Sequence, residues 1–243
     1  MRIRAPGLVL LVAAALGAWA GQPSFDAARR AAAVGDYRTA IQEYQQLLER
    51  SGFSAPVLFN LGNAWLRMGN PARAILDYER ALVLAPGSAA IQANLAAAQQ
   101  RAGIAPTAAG PWLQAARHFS FDTYLWVCLA AIWVLCVALV LLSVDGSGRR
   151  LTRALILVSV LMLCVGADAA VLCWPDLYRA VVQEPAVLHL APAQSAATGG
   201  TLAAGEVVWL QDRFGAFTLV RTADGHVGWV DDTTVLPVRV SRP

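Results

Sequence analysis

The sequence predicts a multi-domain membrane protein: all-α helical hairpins, then a two-helix transmembrane hairpin, then a small all-β barrel. Three observations lead there. Residues 55–88 repeat the layout of residues 21–54 at a spacing of 34. Two long apolar stretches follow, joined by a short arginine-rich loop. From Arg179 onward the apolar periodicity changes to two, broken by turn residues.

In the repeats, Gly35 recurs as Gly69, Ala40 as Ala74, Ile41 as Ile75, Tyr44 as Tyr78 and Leu48 as Leu82. Small residues and aromatics at a period of 34 are the signature of tetratricopeptide (TPR) repeats, in which paired helices stack into a docking surface. In the second copy Leu61, Gly62 and Trp65 lie on a first helix, Ala74, Tyr78 and Ala81 on a second, and Pro86 closes the unit. Gly62, Ala74 and Ala81 permit close approach, while Leu61, Trp65 and Tyr78 fill the space between the helices. Gly69-Asn70 supplies the turn. The first copy is degenerate, with Ala27, Ala28 and Ala31 in place of large residues. A third start, Ala89–Arg101, reads as a capping helix, since Asn94-Leu95 echoes Asn60-Leu61. First helices line the concave face of such arrays. That places Asn60, Asn63, Arg67 and Asn94 in a candidate peptide groove, extended by Arg29. Amides there can bond a peptide backbone, and Arg67 can take a carboxylate. Solvated helix faces are the plainer reading of the same residues.

Hydrophobic residues make up 57% of the chain and charged residues 14%, too apolar for an ordinary soluble protein. The excess is localised. Thr123–Val144 carries no charge and is long enough to cross a bilayer core, and Leu155–Trp174 is interrupted only by Asp168. The loop between them contains Arg149, Arg150 and Arg153. At the amino end, Arg2 and Arg4 precede a shorter apolar run that ends in Ala18-Trp19-Ala20, as a cleaved export signal does. An uncleaved anchor is the rival and leaves the repeats on the same side. Export of the repeats makes the arginine loop cytoplasmic, which agrees with the positive-inside rule. Both flanking modules then lie on the exported side, the periplasm of a Gram-negative inner membrane. Between repeats and membrane, Trp112, Phe119 and Phe121 with Arg117 and His118 read as a segment at lipid-headgroup depth.

Asp168 is chemically awkward. A carboxylate inside a span costs roughly 2.5–3.5 kcal/mol when central. Contact with another membrane protein, protonation in place, and a tolerated polar residue near the interface are the three readings. Cys128, Cys136, Cys164 and Cys173 all fall in the spans, where cysteine serves as a small apolar filler, so the exported modules stand on their own cores. The net charge of +3 is too small and dispersed for nucleic acid. His118, His189 and His226 have no neighbour at metal-ligand spacing. With no nucleophile–base arrangement and no phosphate loop, the expectation is a non-enzymatic protein without metal or cofactor.

The carboxyl-terminal region offers about five short strands, with chain reversals at Gly199-Gly200, Asp212–Gly215 and Asp224-Gly225, the last a type I′ hairpin. Leu202–Val208 (LAAGEVV) and Asp224–Val230 (DGHVGWV) resemble bacterial SH3 domains over Ala180 to Pro237. Phe214, in a polar turn, is the candidate exposed contact. At strand spacing Trp229 is either a core or hairpin residue or a second ligand contact. A barrel that only packs on the repeats or on a partner is the alternative.

The order of modules is a signal peptide (1–20), repeats (21–102; copies 21–54 and 55–88, cap 89–101), an interfacial linker (103–121), two spans (122–144 and 154–174) around a cytoplasmic loop (145–153), and the β region (175–243). With NLGNAW and AILDYERALVLAP in the repeats, this order resembles the TPR proteins of the Bat (aerotolerance) operons, the BatE type. The resemblance implies an inner-membrane scaffold working beside von Willebrand A-domain Bat proteins and a MoxR-type ATPase in stress tolerance. A cell-wall sensor or division accessory protein, with the barrel on peptidoglycan peptides, is the second reading.

Overall fold

The structure is a computed structural model that describes residues 24–105, Phe119, 121–144 and 149–239. The expected signal peptide and most of the interfacial segment, including Trp112, Arg117 and His118, lie outside the described residues.

Five helices build the repeats: α1 (Phe25–Ala33), α2 (Tyr37–Ser51), α3 (Ala55–Arg67), α4 (Pro71–Leu84) and α5 (Ala89–Arg101). Their ends recur as the sequence does. Asp36 and Asn70 cap α2 and α4 by accepting from the backbone N–H three residues on, at 3.1 Å each. The inter-helix turn recurs three times: the N–H groups of Asp36, Asn70 and Ile104 donate to the carbonyls of Ala31, Trp65 and Gln99 at 2.9, 3.0 and 3.0 Å. Gly35, Gly69 and Gly103 each take a positive φ there, of 84°, 78° and 71°. The array therefore begins a third unit with the same backbone geometry. Between α3 and α4 the helices approach so closely that a Cβ on Gly62 would lie 2.7 Å from the Tyr78 ring. Tyr78, Leu58 and Ile75 are fully buried in the resulting core, and Tyr44 in the neighbouring core between α1, α2 and α3.

Helices α6 (Phe121–Val144) and α7 (Arg149–Cys173) are long and apolar enough to cross a membrane and pack against each other. Small residues form their seam. Thr152, Ser159 and Gly166 recur every seventh position on α7, facing Ala131 and Ala138 on α6, and all but Gly166 are buried hydrophobic or hydroxyl side chains. A Cβ on Gly166 would lie 2.7 Å from the Cys128 sulfur, so Cys128 fills this seam, whereas Cys136 and Cys164 face outward. The described part of α7 begins at Arg149, so the three loop arginines sit on its first turns rather than in a loop reaching to 153.

A single turn of 3-10 helix, Trp174–Tyr178, carries α7 directly into the sheet. The strands are β1 (Arg179–Val182), β2 (Ala186–His189), β3 (Thr198–Leu202), β4 (Val207–Phe214), β5 (Phe217–Arg221), β6 (Val227–Asp231) and β7 (Val235–Pro237). Among the described residues there are seven, not five, because AVVQEPAVLHLAP holds two strands split at Pro185 and short strands lie at Thr198–Leu202 and at Val235–Pro237. All pairings are antiparallel, in the order β3-β2-β6-β5-β4-β1-β7. β3 and β7 do not pair, so the sheet does not close. It nevertheless surrounds one core, to which every strand contributes, from Leu202 on β3 to Val235 on β7.

Two turn expectations need correction. Gly199-Gly200 lies within β3. The reversal is made just before it, where the Leu190 N–H donates to the Ala197 carbonyl at 2.9 Å. The β5–β6 reversal is not type I′, which needs positive φ at both central residues. Among the described residues only glycines have positive φ. The Gly225 N–H donates to the Thr222 carbonyl at 3.1 Å, so Ala223 and Asp224 are central and Gly225 follows with φ 85°. The β4–β5 reversal falls at Gly215-Ala216, at the end of the expected segment.

The sheet packs on the repeats. Val181 and Val238 belong to the same buried cluster as Leu58, Ile75, Leu76 and Tyr78, with Val207 and Ile104 against it. Alternation divides β1 between two cores: Ala180 and Val182 face the sheet's own core, while Arg179 and Val181 face α4. The chain leaves the repeats, passes through the α6–α7 hairpin and returns to touch them again. Both ends of the hairpin therefore belong to one body.

Candidate functional site

Helix α4 has buried residues nearly all round, because one side meets α3 and α5 while another lies under the sheet. Glu79, 3% exposed, accepts from the Arg179 guanidinium at 2.5 Å, and Arg179 is 17% exposed. Asp176 lies 3.8 Å from the same guanidinium. Arg80 donates to the Pro237 carbonyl at 3.0 Å and lies over the Phe53 ring at 5.8 Å. Asp77, also buried, has its carboxyl pushed up to about 7 by burial, with Arg80 and Arg73 acting in the opposite direction. The outer face of the second repeat is thus committed to an internal interface.

The first-helix side carries the groove candidates. Asn63 on α3 is the hub: its side-chain oxygen accepts from the Tyr78 hydroxyl and from the Asn94 amide, both at 2.7 Å. This arrangement ties α3, α4 and α5 together. Burial raises the Tyr78 hydroxyl to about 12, while Asn94 and the charges of Arg101 and Arg67 act the other way. Both arginines are exposed, so two solvent-accessible cations stand beside the Asn63–Asn94 amide pair. Asn60 donates to the Pro56 carbonyl of its own helix at 2.8 Å, which occupies one of its donors locally. Arg29 is exposed and lies 4.0 Å from Asp26 and 6.0 Å from the Phe25 ring centroid, away from the Asn63 hub.

This is the geometry of a helical-repeat array, and the family comparison reads it the same way: the tetratricopeptide repeat model matches residues 25–89 and 59–122. The chain contains tetratricopeptide repeats. No curated protein matches the sequence. Within the TPR framework, Arg67 and Arg101 occupy equivalent places on successive first helices, as do Asn60 and Asn94. Arg29 and Asn63 are the other equivalent pair. Arg101 was not singled out from the sequence, although its spacing of 34 from Arg67 is a signal that could have found it. Glu79 and Arg179 were also missed, and a pairing of 100 positions has no local signature.

In the sheet, Phe214 stands 66% exposed at the β4–β5 tip. Trp229 lies half-buried on the outer face of β6, opposite Leu219 of β5 and His189 of β2. Neither meets the TPR groove residues. Asp168 is exposed on α7, on the side away from the Thr152–Ser159–Gly166 seam. At the same end of the hairpin, Phe121 and Trp174 rings pack at 6.0 Å, Trp174 and Tyr178 at 6.3 Å, and Phe119 and Tyr124 at 6.3 Å. Arg239, following β7, lies 3.7 Å from Asp122 at the start of α6. Among the described residues no group of histidine, cysteine, aspartate and glutamate is gathered as a metal site.

Proposed function

We propose that the protein is a membrane-anchored docking scaffold whose TPR face, with Asn63, Asn94, Arg67 and Arg101, receives an extended segment of a partner protein bearing a carboxylate. The observation that carries this reading is the asymmetry of the array. The second repeat's outer face is covered by the sheet, while among the described residues Arg67 and Arg101 stand exposed beside the half-buried Asn63 and Asn94. The α6–α7 hairpin crosses the inner membrane twice, with the aromatic cluster at its outer end and Arg149, Arg150 and Arg153 at its cytoplasmic end. The TPR unit and the SH3-like sheet then face the periplasm. The module order supports a place beside A-domain Bat proteins and a MoxR-type ATPase. The protein works by holding partners rather than by catalysis.

A photo-crosslinking residue at Arg67 tests this in the membrane-bound protein. Crosslinks to an A-domain partner, lost when Asn63→Leu is added, support the scaffold. Equal crosslinking from Arg67 and from an exposed position on α2 such as Gln45 refutes groove recognition. The exposed Phe214 favours a second reading, in which the sheet holds cell-wall peptides. Sedimentation with purified sacculi that depends on Phe214 would replace the first reading with the second.

A further inference from the structure

Asp168 is turned outward from the hairpin it belongs to. The seam on α7 runs through Thr152, Ser159, Gly166 and Ala169, and Asp168 follows Gly166 by two residues, about 200° around the helix. Its neighbours on that outer face are Leu157, Leu161, Cys164 and Val171, all exposed. Among the described residues it has no ion pair or hydrogen bond. Trp174 of the aromatic cluster follows it by six positions, so it lies about 9 Å inside that end. An aspartate side chain is too short to reach headgroup water from there, unlike lysine or arginine.

Neither of the two spans, in this chain or in a second copy, supplies a cation for Asp168 within the bilayer. Neither Thr123–Val144 nor Ala154–Cys173 contains lysine, arginine or histidine. The nearest basic residue on α7 is Arg153, fifteen positions away and about 22 Å toward the other end. Resting on the membrane-anchored reading above, we propose that the outer face of α7 docks a transmembrane helix of a different protein. That helix carries one arginine or lysine about a turn and a half inside its outer end, paired with Asp168. The scaffold then engages its partner within the bilayer as well as above it.

The probe is a synthetic leucine–alanine transmembrane helix, with or without one arginine at the matching depth, co-reconstituted with the full-length chain and read by energy transfer. The arginine helix is expected to associate at least tenfold more tightly than the plain helix. That difference should disappear for Asp168→Leu and shrink for Asp168→Asn. Equal association of both helices, or a difference surviving in Asp168→Leu, overturns the inference while leaving the anchor intact. Self-association of the full chain that is lost in Asp168→Leu also overturns it, since the occupant would then be a second copy. Release of the chain from vesicles by alkaline carbonate would instead sink the anchor and the inference together.

Discussion

Replacing Arg179 by alanine should loosen a helix more than 90 positions earlier in the chain. Arg179 begins β1, yet its guanidinium meets Glu79 of α4, and Glu79 is 3% exposed. Without Arg179 the Glu79 carboxylate remains buried with no cation, and breaking a buried pair in this way costs about 3–5 kcal/mol. Asp176 adds less, because it is more exposed and stands 3.8 Å off. Hydrogen exchange on the detergent-solubilised full chain reads the effect. Amides of α4 that exchange through opening of this interface should speed up roughly a hundred- to several-thousand-fold, together with those of β1. Joint replacement by apolar side chains, Glu79→Leu with Arg179→Met, should recover most of the protection, because it removes the desolvated charges as well as their attraction. Two results refute the reasoning: a change under about threefold in Arg179→Ala, or a double variant whose loss equals the sum of the two single losses.

Asp77 predicts a pH dependence. Its carboxyl is raised by burial to about 7, so the folded state holds a proton that the unfolded chain releases near pH 4. Stability is therefore full below pH 4 on this account and is lost as pH rises to about 7, by an amount on the order of 4 kcal/mol. Asp77→Asn should flatten thermal stability between pH 5 and pH 8, and an unchanged difference from pH 5 to 8 would refute this. Gly62→Val places a side chain against the Tyr78 ring, where a Cβ alone would stand at 2.7 Å, and should cost about 1–3 kcal/mol by denaturant titration. Asn63→Leu strips the acceptor from both the Tyr78 hydroxyl and the Asn94 amide and should destabilise more than Tyr78→Phe, which costs about 1 kcal/mol. Equal losses for those two variants would mean that Asn63 is not the hub.

Repetition is what made the helical part readable in advance. The spacing of 34 identified Gly35 and Gly69, and the structure places both in the same left-handed turn. It also gave α5 its limits at Ala89 and Arg101. Gly103, the third member of that series at the same spacing of 34, went unread, although the repeat model's second match runs past it to residue 122. The hairpin was readable from apolar length alone, but the face presented by Asp168 was not. That face depends on which small residues of α7 pack against Cys128 and Ala131. In the sheet, glycine served as a poor guide to turns. Gly199 is there because β3 passes close to Leu190, a contact made only after the strands pair, whereas Gly200 takes a φ of 151° in open space. The interface between α4 and β1 was least accessible of all. Glu79 reads as an ordinary surface residue of a helix, and only the return of the chain to the repeats buries it.

The central claim is that repeats and sheet form one body on the exported side of a membrane, joined through a hairpin that crosses it twice. Paired reporters fused after Pro243, one active only outside the cytosol and one only inside, test it most directly. The account predicts that the first is active and the second silent, with the same result for fusions after Ala105. A reporter active in the cytosol after Pro243 but outside after Ala105 would place the two modules on opposite sides and contradict the contact between Glu79 and Arg179 on which the account stands.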